Sequence, residues 1–96
     1  MTAAFNGNSS VNIATATTTT AKTGKGCLKR IVINKPVATA VITVYDNTAA
    51  SGTKLATITL PATLLEDTKS LEFDVAFGTG LTIVTSQATD LTVVFN

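Results

Sequence analysis

The sequence predicts an all-β chain, an antiparallel β-sandwich or jelly-roll-like barrel of about 6–8 strands. Three observations predict it. Threonine occurs 20 times in 96 residues, and together with Val and Ile it makes the chain rich in β-branched side chains, which suit a pleated surface and disfavour helix. Several segments alternate apolar and polar residues with period two, whereas no long segment carries a capped 3.6-residue apolar period. Gly, Pro, Asn and Asp punctuate these segments at intervals too short for the crossovers of a parallel sheet.

The length suits one core and one domain. Hydrophobic residues at 45% against 14% charged favour a packed globule over a self-repelling chain. No apolar run approaches the roughly 18–20 residues that span a bilayer. The first ten residues lack a basic and then apolar leader pattern, so cytoplasmic synthesis and assembly are expected, with no membrane partner.

Residues 1–23 read as an N-terminal arm and residues 24–96 as the β-sandwich domain. Within the arm Val11 and Ile13 alternate, and then large apolar residues disappear into a threonine run; such a segment pairs at a sheet edge or reaches a neighbouring molecule. Cys27–Asn34 reads as the first strong strand, with Ile31 and Ile33 on one face, Leu28 and Val32 on the other, and Pro36 ending it. Residues 39–45 form the next strand. A polar connection from Asp46 to Gly52 turns the chain into Thr53–Leu60, making a hairpin. Ala62–Lys69 is too short for an independent helix and reads as a loop.

Ser70–Val75 sets Leu71, Phe73 and Val75 against Glu72 and Asp74, the pattern of a strand with one buried side. Gly78, Thr79 and Gly80 turn the chain into Leu81–Thr85. The loop 86–90 then leads into Leu91–Asn96, where Leu91, Val93 and Phe95 share a face.

Charge is divided along the chain. Residues 1–45 carry +5 and residues 46–96 carry −4, so the halves pair within one fold or offer complementary surfaces to neighbours. The candidate partner-contacting residues are Val11, Ile13, Lys22, Lys25, Lys29 and Arg30.

Catalytic chemistry has few carriers in this sequence. Histidine is absent, which removes the commonest general base and metal ligand. The single cysteine, Cys27, forms no intrachain disulfide and reads as a small strand residue. Glu72 and Asp74 read as solvated residues of one strand face. Glu66 and Asp67 with Asp46 or Asp90 offer oxygen ligands for calcium, yet no Asp-x-Asp-x-Asp-Gly loop fixes their spacing. Gly24 and Gly26 lead into a strand instead of a helix and lack the helix N-terminus that holds phosphate. No aromatic stacking pattern accompanies the lysines, which disfavours nucleic acid. The reading is therefore non-enzymatic, without cofactor or metal.

Four stretches carry a resemblance: Gly26-x-Leu28-x-Arg30-Ile31-x-Ile33-Asn34-x-Pro36, Ile42 through Thr53, Gly80 through Thr85, and Ala88 through Phe95. Together they resemble the small β-rich virion structural proteins of tailed bacteriophages, over about residues 24–96. The resemblance implies a virion location and a capsid decoration or cement protein. It also implies a major capsid or other virion protein as partner, with assembly as a homo-oligomer. A tail or fibre module, or a receptor- or glycan-binding sandwich, is the alternative. Against glycan binding stands the scarcity of aromatic residues, with Tyr45 the one candidate ring carrying a hydroxyl.

Overall fold

The computed structural model describes residues 9–61 and 69–96. Among them are eight strands: β1 (Ser9–Ile13), β2 (Thr18–Thr23), β3 (Gly26–Lys35), β4 (Val41–Asp46), β5 (Thr53–Thr59), β6 (Lys69–Phe77), β7 (Gly80–Thr85) and β8 (Asp90–Phe95). They form two four-stranded sheets, one ordered β1-β8-β3-β6 and the other β2-β7-β4-β5, with every pairing antiparallel. Successive strands mostly switch sheets. The chain's last strand lies between its first and third, which is the strand order of a jelly roll.

Alternation places the core. Ile31 and Ile33 of β3, Ile42 and Val44 of β4, Leu81 and Ile83 of β7, and Leu91 and Val93 of β8 are all essentially inaccessible to solvent. These are the two middle strands of each sheet. Their inward rows meet across the sandwich, and the edge strands add one to three buried or partly buried hydrophobic side chains each.

The stretch expected as an arm departs from its reading. Residues 9–13 pair along β8, from Ser9 opposite Phe95 to Ile13 opposite Leu91. Residues 18–23 pair along β7. The expected arm thus supplies one edge strand to each sheet, with the threonine run in β2, and the expected boundary between residues 23 and 24 falls inside the sandwich. A strand at a sheet edge gains its ladder bonds from one neighbour and needs few core side chains. Residues 1–8 of the expected arm, and the loop expected over Ala62–Lys69 apart from Lys69 at the start of β6, lie outside the described residues.

β3 differs in its faces. Leu28 was expected opposite Ile31 and Ile33, but all three point into the core. The pairing of β3 shifts register between Leu28 and Arg30 with both β6 and β8. One extra residue in a strand reverses the parity of everything beyond it. Val32 is half-buried, so β3 is covered fully on one side only. On the partner strand, Asp74 takes a left-handed conformation with φ 52°.

The strand expected from residue 39 begins at Val41. Before it the chain makes a turn in which the Ala40 amide donates to Val37 O at 3.2 Å. Thr39 holds φ at 62°, an uncommon state for a β-branched residue. Its amide donates to Pro61 O at 3.3 Å, and Leu60 N to Ala40 O at 2.8 Å, which fastens the turn to the end of β5.

Candidate functional site

The two ends of the sandwich differ in how their loops are built. At one end the connections after β1 and β7 interlock through threonine: Thr85 Oγ1 donates to Thr15 O at 2.6 Å, and the Thr17 amide donates to Thr85 Oγ1 at 3.1 Å. Thr85 is 4% exposed, so its hydroxyl supplies the partners that the short 14–17 connection cannot provide to itself.

The opposite end is organised by Asp46, the last residue of β4. Its carboxylate accepts from the amides of Gly78 at 3.0 Å, Thr79 at 2.8 Å and Gly80 at 3.4 Å. These consecutive amides belong to the tight turn between β6 and β7, whose geometry aims them at one point. Charge-assisted bonds from Gly78 first, then Thr79 and Gly80, hold the carboxyl below the usual aspartate range, against partial loss of solvent that acts the other way. Asn47 extends the arrangement: its Nδ2 donates to Ser51 O at 2.8 Å, closing the hairpin connection. Its carbonyl accepts from Thr82 Oγ1 at 2.7 Å.

Beside this turn lies an open hollow of about 590 Å³, bordered by Lys22, Lys25, Phe77 and the backbones of Gly26 and Gly78. Asn96 forms one wall, fixed by reciprocal 2.9 Å backbone bonds with Cys27. The pairing of β2 with β7 shifts register between Thr20 and Lys22. Beyond that bulge Lys22 stands opposite the buried Leu81, and its Nζ reaches within 3.1 Å of where a Cβ on Gly26 would lie. Only glycine fits at position 26, because that Cβ would collide with Asn96 O and come within 2.8 Å of the Phe77 ring. At Gly24 and Gly78 the same position is open space.

The six candidate contact residues therefore separate into three pairs. Ile13 is 4% exposed and belongs to the core, with Val11 packed against it. Ile13 offers no surface to a partner and Val11 only a partly covered one, because the alternation that marked them as strand residues turns them inward here. Lys29 and Arg30 lie across β3–β6 from acids of the second half, Lys29 Nζ at 3.6 Å from Asp74 and Arg30 Nε at 3.2 Å from Glu72. Part of the opposite charge of the two halves is thus paired within the chain. Lys22 and Lys25 come together at the hollow.

The remaining residues singled out from the sequence scatter. Asp90 Oδ1 accepts from Asn12 Nδ2 at 2.7 Å and from Asn34 Nδ2 at 3.3 Å, a polar seam across β1, β8 and β3. Asp90 opens β8 at the end of the sandwich opposite Asp46, so these two do not assemble one cation site; Glu66 and Asp67 lie outside the described residues. Among the described residues no three His, Cys, Asp or Glu side chains gather as a metal site. Tyr45 is half-buried and stands opposite Lys54 and Thr82 in its ladders. Cys27 is a half-buried free thiol. No helix among the described residues is long and apolar enough to cross a membrane.

The Asp46 turn cap was not identified from the sequence. Two glycines flanking one residue announce a tight turn, but the acceptor for its amides comes from 32 residues away or more, a distance that local pattern does not reach. No protein-family model, characterised protein or solved structure matches the chain.

Proposed function

We propose that this chain is a non-enzymatic structural protein of a tailed-bacteriophage particle, docking on the capsid as a decoration or cement subunit. One observation carries the reading: the stretches that bear the phage resemblance are the ones that build this scaffold. The first is β3, the second contains β4 and the Asp46–Gly52 connection, the third is β7 and the fourth contains β8. These are the four middle strands of the two sheets. A likeness concentrated in framework residues supports a role as a rigid body placed on a larger assembly. The jelly roll alone does not choose the role, since capsid, lectin and enzyme domains all use it.

A decoration subunit acts by mass action, because whatever binds the assembled shell and not its parts stabilises the shell. The test is co-sedimentation of the purified protein with capsids stripped of their surface proteins, with tail assemblies as the parallel sample. Pelleting with capsids, and a capsid that survives higher temperature when loaded, is the expected result. Pelleting with tails alone moves the protein to a tail or fibre; binding to neither, with retention on host glycans, overturns the structural role.

A further inference from the structure

Every described carboxylate side chain is already engaged. Asp46 is held by three amides, Glu72 by Arg30, Asp74 by Lys29, and Asp90 by Asn12 and Asn34. Lys22 and Lys25, by contrast, form no ion pair among the described residues. Both side chains border one hollow, so an anion bound there meets two cationic groups at once.

The floor gives the hollow a second character. Ala76 and Phe77 line it, and the missing side chain at Gly78 leaves its rim open. Its polar rim and apolar floor fit a chain segment carrying a carboxylate next to an apolar side chain. A free inorganic anion would use only half of that surface.

We infer that this hollow is where the chain receives an acidic segment of its partner protein. A carboxylate reaches Lys22 and Lys25, and an adjacent apolar side chain rests on Ala76, which is exposed where the neighbouring Phe77 is not. The inference rests on the docking reading above and narrows its surface to one end of the sandwich. Lysines on a solvated rim are screened by salt, so the interaction weakens as ionic strength rises. Nucleic acid is the competing polyanion, and the hollow offers its bases only one ring, Phe77, which is 3% exposed and therefore a poor stacking platform.

The experiment is an amide NMR titration of the full chain with a capped Glu-Glu-Leu-Glu-Glu peptide. The expected shifts concentrate on Gly24, Gly26 and Gly78 and leave Thr15 and Ser86, at the other end, in place. Lys25→Gln, at an exposed position, should weaken binding about fivefold, and Lys22→Gln by a similar factor, while Lys35→Gln changes it less than about twofold. Shifts spread evenly over all lysines, or affinity indifferent to Lys22 and Lys25, would overturn the site. So would tighter binding of a single-stranded oligonucleotide of equal charge. The docking reading is separable: if a variant combining Lys22→Gln with Lys25→Gln loses the peptide yet still pellets with capsids, the hollow is not where the partner docks and docking stands. If the peptide binds but capsids do not, the hollow stands alone.

Discussion

Asp46 shows how one side chain fixes an end of the fold. Its carboxylate stands in for the carbonyls that three consecutive amides of the β6–β7 turn would otherwise need. Because those amides depress its pKa, the folded state prefers the ionised form more than the unfolded chain does. The resulting stability is fully present above the unfolded aspartate pKa of about 3.9, and it is lost as pH falls through the lower folded value. Asp46→Asn should remove that part of the acid dependence, so wild type and variant converge in melting temperature as pH drops below 4. A gap that stays constant with pH would show that the charge is immaterial. Thr89 is the opposite case, a wholly buried hydroxyl with no hydrogen-bond partner among the described residues. Thr89→Val removes an unsatisfied polar atom at nearly constant volume and should stabilise the fold by about 1 kcal/mol, read as a higher urea midpoint at unchanged slope. Of the residues that border the hollow, Lys22 and Lys25 were legible as candidates because charge is written in the sequence. The turn cap was not, because a hydrogen bond between β4 and a distant turn leaves no local pattern.

At the scale of elements, legibility follows the amount of apolar alternation. β7 and β8 read correctly because Leu81 and Ile83, and Leu91, Val93 and Phe95, repeat every second residue with turn residues on both sides. β3 read correctly as a strand and wrongly as to its faces, since a bulge changes parity without changing composition. β1 and β2 read as an arm because small polar residues dominate them, serine and asparagine in β1 and threonine in β2, and pairing partners are invisible in a single segment. Their place in the structure sets what a truncation should do. Deleting residues 1–20 removes all of β1, the buried Ile13 and half of β2, and it exposes the ladder edges of β8 and β7 to solvent. The truncated chain should lose cooperative thermal unfolding or aggregate, as seen by circular dichroism and sedimentation. Retention of the full-length melting temperature would mean that these strands are accessories to a six-stranded body. A milder variant, Ile13→Ala, should cost about 2–5 kcal/mol if the strand is integral.

For the molecule as a whole, the topology ties both sheets into one unit. β8 enters last and sits between β1 and β3, so sheet one is incomplete until the end of the chain is in place. The jelly-roll connections repeatedly carry the chain from one sheet to the other, and Ser9 pairs with Phe95. Such non-local pairings place folding in the range of about milliseconds to seconds, and they leave neither sheet a buried face of its own. The chain supplies its own reporter of this coupling. It has one tyrosine and no tryptophan, and Tyr45 lies in the second sheet, while Leu91 lies in the centre of the first and is fully buried. Leu91→Ala should cost about 2–5 kcal/mol and move the urea midpoint of Tyr45 fluorescence by as much as that of the far-ultraviolet signal. Coincident transitions mean that damage in one sheet is felt in full by the other, the behaviour of a single cooperative domain. If the tyrosine signal keeps the wild-type midpoint while the backbone signal shifts, the sheets unfold separately. The rigidity that the docking reading asks of this scaffold would then be missing.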